Sequence, residues 1–209
     1  MIPKTIQQKI NEGRSYRNTQ EFRAGEGEKI VEGYATTFDE EYTLWEDDDY
    51  VIREKVDREA FRDADLGDVI MQYDHEGRVF ARISNGTLAL EADDHGLHVR
   101  ADLSGTELGR QLYEEINGGY TTKMSFGFTV ASDEWLERKT EDGKVEMIRT
   151  ITAIRKLYDV SAVSLPANNA TEISARCLCE GVIAEAAEER RRKEERERRK
   201  RKIKLMMEV

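Results

Sequence analysis

The chain has 209 residues, 33 Lys+Arg against 43 Asp+Glu, a formal net charge of -10 and a mean hydropathy of -0.72. No apolar run approaches the ~18 residues of a membrane span, and the N-terminus lacks the apolar region of an export signal. Cys177 and Cys179 are the only cysteines, two residues apart, which excludes a disulfide scaffold and leaves a four-ligand zinc site without its other half.

Charge is divided unevenly along the chain. Residues 172–209 carry 12 Lys+Arg and 9 Asp+Glu, so the preceding 171 carry 21 and 34. Residues 1–25 read as a flexible arm, residues 26–174 as the folded domain, and residues 175–209 as a charged tail. In the domain, Lys29–Phe38 and Tyr50–Val56 have the β-branched and aromatic density of strands. Asp57 is placed to cap a short helix, DREAFRDA. Val69–Tyr73 predicts a strand ending at Asp74-His75-Glu76-Gly77. Asn85-Gly86, between Arg78–Ser84 and Thr87–Ala92, predicts a hairpin with a type I′ turn, and Asp93–Gly96 a second turn into Leu97–Asp102.

A clearer helix follows. Ser104 or Thr106 can cap it, Leu108, Leu112, Tyr113 and Ile116 form an apolar stripe, and Gly118-Gly119 ends it. Met124–Ala131, Val145–Leu157 and Asp159–Leu165 complete the strands. Successive hairpins without βαβ alternation predict an α+β, mainly β domain, an antiparallel barrel or sandwich with helices on its flank. The run Glu188–Lys204 is rich in helix formers with Glu/Arg pairs three and four apart, and predicts a charged tail that is helical or disordered. Its interspersed glutamates oppose nucleic-acid binding, as does the acidic domain.

Three histidines bound the acid–base chemistry. His95 and His98, with Asp93 and Asp94, could form only a splayed metal site, and read as a surface turn and strand. His75 is presented at a strand end, a rigid support with solvent access, as a general base requires. Ser125, between Met124 and Phe126 with Gly127 behind it, is a hydroxyl in a core-like strand. It is either a buried serine bonded to a neighbouring carbonyl or a nucleophile. No G-x-S-x-G elbow, phosphate-binding loop or H-E-x-x-H is present in the sequence.

The ordered segments VEGYATTFD (31–39), VDREAF (56–61), QYDHEGRVFAR (72–82), GTLALEADDHGLHVRADL (86–103), GRQLYEEINGGYTTKMSFGF (109–128) and YDVSAVSLPANNATEIS (158–174) resemble the caudoviral prohead protease family. These are the capsid maturation proteases of tailed bacteriophages and prophages, serine proteases related to the herpesvirus assemblins. The resemblance implies an assemblin-like antiparallel β-barrel flanked by helices and a serine endopeptidase activity with no cofactor or metal. It places His75 at the family's histidine, in Tyr73-Asp74-His75-Glu76, and Ser125 at the nucleophile of an intact Met-Ser-Phe-Gly-Phe motif. Asp159, in Leu157-Tyr158-Asp159-Val160-Ser161, stands where the family carries the orienting acid, with Asp replacing Glu. Glu76, adjacent to His75, is a rival for that role, although a neighbour in an extended chain points to the opposite face, and Asp74 fails on the same ground. The implied partners are the major capsid protein and scaffold as substrates, the chain itself, and a second copy in a homodimer, with no membrane or nucleic acid. The implied location is the host bacterial cytoplasm, inside the immature prohead. A catalytically inactive relative serving as scaffold or assembly factor is the alternative.

Overall fold

A computed structural model describes residues 14–21, 23–24, 29–46, 48–141, 143–164, 183–184 and 186–201. Its spine is a long antiparallel ribbon of β10 (Lys123–Lys139) and β11 (Val145–Val163), paired from Lys123↔Val163 to Lys139↔Val145 with register shifts between Gly127 and Asp133. The first half of β10, Met124 to Val130, is buried on both faces, which is why it reads as an unbroken apolar run. The ribbon turns at Thr140–Lys144, where Gly143 supplies a φ of 89°.

β11 is long enough to take two partners on its other edge. β5 (Tyr50–Val56) pairs with its first half and β6 (Ile70–Tyr73) with its end, both parallel. Between them the chain from Asp57 to Asp65 is stitched to the same edge. Asp57 donates to Ile151, Ile154 to Ala60, Asp65 to Arg155, and Leu157 back to Asp65. That edge bonding replaces the helix predicted for DREAFRDA: residues 58–63 form successive turns, with Asp57 Oδ1 accepting from the Glu59 amide at 2.8 Å.

The large sheet is completed by β4 (Tyr42–Glu46) on β5, β7 (Glu76–Arg82) on β6, and β1 (Ser15–Glu21) on β10. A smaller antiparallel sheet has the order β2 (Arg23–Ala24), β3 (Ile30–Thr37), β9 (Gly96–Asp102), β8 (Leu88–Ala92). The fold is α+β and mainly β, but among the described residues the strands do not close into a barrel, and two pairings are parallel. Closure fails where the predicted Asn85-Gly86 hairpin would have joined β7 to β8. A 3₁₀ turn, Ile83–Asn85, ended by Gly86 at φ 77°, instead sends β7 to the large sheet and β8 to the small one. The second predicted turn does form, with Asp93 Oδ1 accepting from the amides of His95 and Gly96.

The two sheets share one core, including Val31, Leu97 and Val99 from the small sheet and Phe126, Phe128 and Val160 from the large. Helix α1 (Glu107–Asn117) is capped by Thr106, whose hydroxyl accepts from the Gly109 amide, and buries Leu112, Tyr113 and Ile116 against that core. Leu108, the first residue of the predicted stripe, is exposed.

The residues taken as an N-terminal arm contribute to the sheet from Ser15 onward. Arg17 anchors them: its guanidinium bonds both oxygens of buried Glu54, at 2.5 and 3.0 Å. Glu54 also accepts from Tyr42 at 2.5 Å and from buried Arg149 at 2.9 Å, and Arg149 reaches Asp133 at 2.7 Å. Residues 183–184 and 186–201 are helical (α2). Ile183 and Ala186 pack against Ile52, Val145 and Met147, and Arg190 pairs with Glu137, so the start of the tail docks on the turn end of the ribbon. Further along, Glu188–Arg192 is an exposed pair spanning one helical turn, worth ~0.3–0.5 kcal/mol. Cys177 and Cys179 lie outside the described residues.

Candidate active site

Strand alternation builds the site. Ser125 and Gly127 lie on one face of β10, Asp159 and Ser161 on the same face of β11, and the register sets Ser125 opposite Ser161 and Gly127 opposite Asp159. β6 runs beside β11 with Tyr73 opposite Ala162, so the turn that follows β6 emerges next to this column.

That turn carries His75. Asp74 and His75 are the two central residues of a β6–β7 connection closed by the Tyr73↔Glu76 pair, with φ of 48° and 62°. Positive φ at both positions is what a type I′ turn requires, and it costs a non-glycine residue on the order of 1 kcal/mol. Contacts elsewhere offset this. The Asp74 carboxylate accepts from the amide and hydroxyl of Ser164, both at 2.9 Å, and the Asp74 amide donates to Ala162 at 2.9 Å. The turn is thereby tied to the end of β11 and aims the imidazole back over the sheet.

His75, Ser125 and Asp159 meet there. His75 Nδ1 lies 2.5 Å from Asp159 Oδ1, and Nε2 lies 2.6 Å from Ser125 Oγ. Ser161 Oγ donates to the same Asp159 Oδ1 at 2.8 Å, and Arg14 bonds Oδ2. Ser125 and Asp159 are fully buried. Burial alone would push the Asp159 carboxyl up, but hydrogen bonding and charge from His75, the Ser161 hydroxyl and Arg14 outweigh it and hold the group below its ordinary value. Asp159 is therefore ionised and accepts only. Nδ1 donates to that carboxylate, and in the neutral tautomer this selects, Nε2 is free to accept from the Ser125 hydroxyl. This is the arrangement in which a serine can lose its proton as its oxygen attacks.

The rival acids are elsewhere. Asp74 spends its carboxylate on Ser164, and Glu76 is exposed at the start of β7. His95 and His98 flank the Tyr34 ring, at centroid distances of 4.6 and 5.1 Å, away from this column.

Arg14, Tyr16 and Ser161 escaped the sequence reading. Ser161 had a signal, because it is two residues beyond Asp159 in an extended strand and must share its face. Gly127 stands in the same relation to Ser125, and its lack of a side chain makes room for Asp159. A Cβ there would lie 2.4 Å from Asp159 Oδ2 and 2.9 Å from Tyr16 Cε1. Neither neighbour can retreat through packed sheet, so Gly127→Ala is expected to cost ~1–3 kcal/mol in chemical denaturation. A variant as stable as the parent would mean that Asp159 does not occupy this gap.

A family model described as Caudovirus prohead serine protease matches residues 16–183. The chain belongs to that family. The match starts within β1, so Tyr16 lies inside the matched prohead protease region and Arg14 just ahead of it. No curated protein and no solved structure matches this prohead protease relative significantly. Among the described residues, no helix is long and apolar enough to cross a membrane.

Proposed function

We propose that this chain is an active serine endopeptidase of capsid maturation, with Ser125 as nucleophile, His75 as general base and acid, and Asp159 as the orienting carboxylate. The observation that carries the reading is the unbroken hydrogen-bond chain Asp159–His75–Ser125, at 2.5 and 2.6 Å. Ser125 Oγ attacks the scissile carbonyl while its proton passes to His75 Nε2. The C–N bond then breaks and the amine leaves with that proton. Water hydrolyses the acyl ester by the same route in reverse. Asp159 stabilises the imidazolium at each proton transfer.

Its substrate in this reading is the scaffold or the scaffolding segment of the major capsid protein, inside the immature prohead in the host cytoplasm. The chain also cuts itself, and it works as a homodimer, which links activity to the high local concentration within the shell. Co-expression with the cognate capsid protein, followed by intact mass measurement, tests this reading. Truncated capsid protein is expected, together with a Ser125 adduct when the purified chain meets a fluorophosphonate. Intact capsid protein and an unlabelled Ser125 would instead describe an inactive relative that serves assembly.

A further inference from the structure

Asp159 has two oxygens, and the proposed chemistry uses one. Oδ1 receives His75 at 2.5 Å and Ser161 at 2.8 Å. Oδ2 points into the gap over Gly127, where a Cβ would lie 2.4 Å from it and 3.0 Å from Arg14 Nε. Arg14 fills that gap. Its guanidinium sits over the rings of Tyr158, at 4.5 Å, and Tyr16, at 5.2 Å, and pairs with Oδ2. Tyr16 in turn packs its ring against His75, with centroids 4.2 Å apart. Among the described residues, the ion-pair partners of Asp159 are Arg14 and His75, and of the two only Arg14 carries a permanent positive charge. An unpaired buried carboxylate rotates toward whatever donor or water it can find. Arg14 prevents this by occupying the oxygen that faces away from the imidazole.

We propose that Arg14 is a positioning residue: delivered by β1 and sandwiched between Tyr16 and Tyr158, it fixes the rotation of Asp159 so that Oδ1 stays aimed at His75 Nδ1. Tyr16 serves the same end by backing the imidazole. The N-terminal strand is thus part of the site's machinery, and Arg17, buried on Glu54, is its anchor. The proposal rests on the reading of His75, Ser125 and Asp159 as a protease triad.

Two measurements on the full-length chain test it. The first is the rate of fluorophosphonate labelling of the parent, Arg14→Ala, Arg14→Lys and Ser125→Ala. Arg14→Ala is expected to lose about 100-fold in rate, the scale of a misaligned reactive group. Arg14→Lys should recover part of the loss, as should guanidinium at non-denaturing concentration added to Arg14→Ala. The second is the proton NMR signal of the hydrogen-bonded His75 Nδ1 proton, which reports the Asp159 contact whether or not Ser125 reacts. It should be present in the parent and lost or exchange-broadened in Arg14→Ala. Labelling at the parent rate, an unchanged Nδ1 signal, or a loss that neither lysine nor guanidinium restores overturns the positioning role. A parent that shows the Nδ1 signal but resists the probe, as Ser125→Ala does, would instead sink the protease reading, and the NMR comparison would still decide Arg14.

Discussion

Ser125→Ala is expected to lower peptide cleavage by at least ~10⁴-fold while leaving the fold in place. The change removes one buried oxygen whose hydrogen bond to His75 Nε2 is 2.6 Å, and a lost hydrogen bond of this kind costs only about 1 kcal/mol of stability. The chemical loss is far larger, because no other hydroxyl can form the acyl intermediate. Ser161, directly opposite on β11, already donates to Asp159 and lies on the acid's side of the imidazole. His75→Ala should lose activity to a similar degree, and the double variant should be little worse than either single one, since the two act as a unit. His98→Ala should cleave like the parent. Intact mass of co-expressed capsid protein reads all four. Parent-like processing by Ser125→Ala would remove the nucleophile from the mechanism.

The largest stability effect is expected at Glu54. Its carboxylate is fully buried and receives Arg17, Arg149 and Tyr42. Glu54→Ala leaves two buried guanidinium groups short of their counter-ion, a change that typically costs ~3–5 kcal/mol. It should also loosen β1, which Arg17 ties down. Burial alone would raise the Glu54 carboxyl, but the two arginines and the hydrogen bonds pull it down to about 2. Since the folded value lies below the unfolded one near 4.5, the linked stability is fully present above pH 4.5 and is lost as pH falls toward 2. The shift corresponds to roughly 3 kcal/mol. Urea denaturation from pH 6 to pH 2 should show a steeper acid decline for the parent than for Glu54→Gln. Parallel declines would mean that the network adds nothing to acid stability.

How much of this was legible in the sequence depended on distance along the chain. The strands β5, β6, β9 and the apolar half of β10 announced themselves by residue type, and α1 by its periodicity. His75, Ser125 and Asp159 were readable as residue types in a recognisable order, but strand alternation does not apply at Asp74-His75, which is a turn, and it is Ser164 that engages the Asp74 carboxylate. What could not be read were the decisions made by remote partners. Asn85-Gly86 carries the stronger local signal for a type I′ turn, yet the pair with two positive φ angles is Asp74-His75, because Ser164 and Ala162 hold it there. The segment after Asp57 has helical propensity, but the open edge of β11 claims its backbone. SYRNTQE looks like a loop on composition, being polar throughout, and becomes a strand only because β10 offers an edge and Glu54 a socket for Arg17. The parallel pairing of β5 and β6 with one strand leaves no local trace at all.

The ribbon of β10 and β11 keeps two kinds of business far apart. Ser125 sits near one end, and the tail helix docks by Glu137 near the other. Twelve residues of strand at ~3.3 Å each span up to roughly 40 Å. A fusion partner or affinity handle placed after the tail therefore follows a helix that docks at the end remote from Ser125, whereas one placed before Arg14 enters the chain ahead of the residue that meets Asp159. For handling this molecule, the carboxyl end is the one to burden.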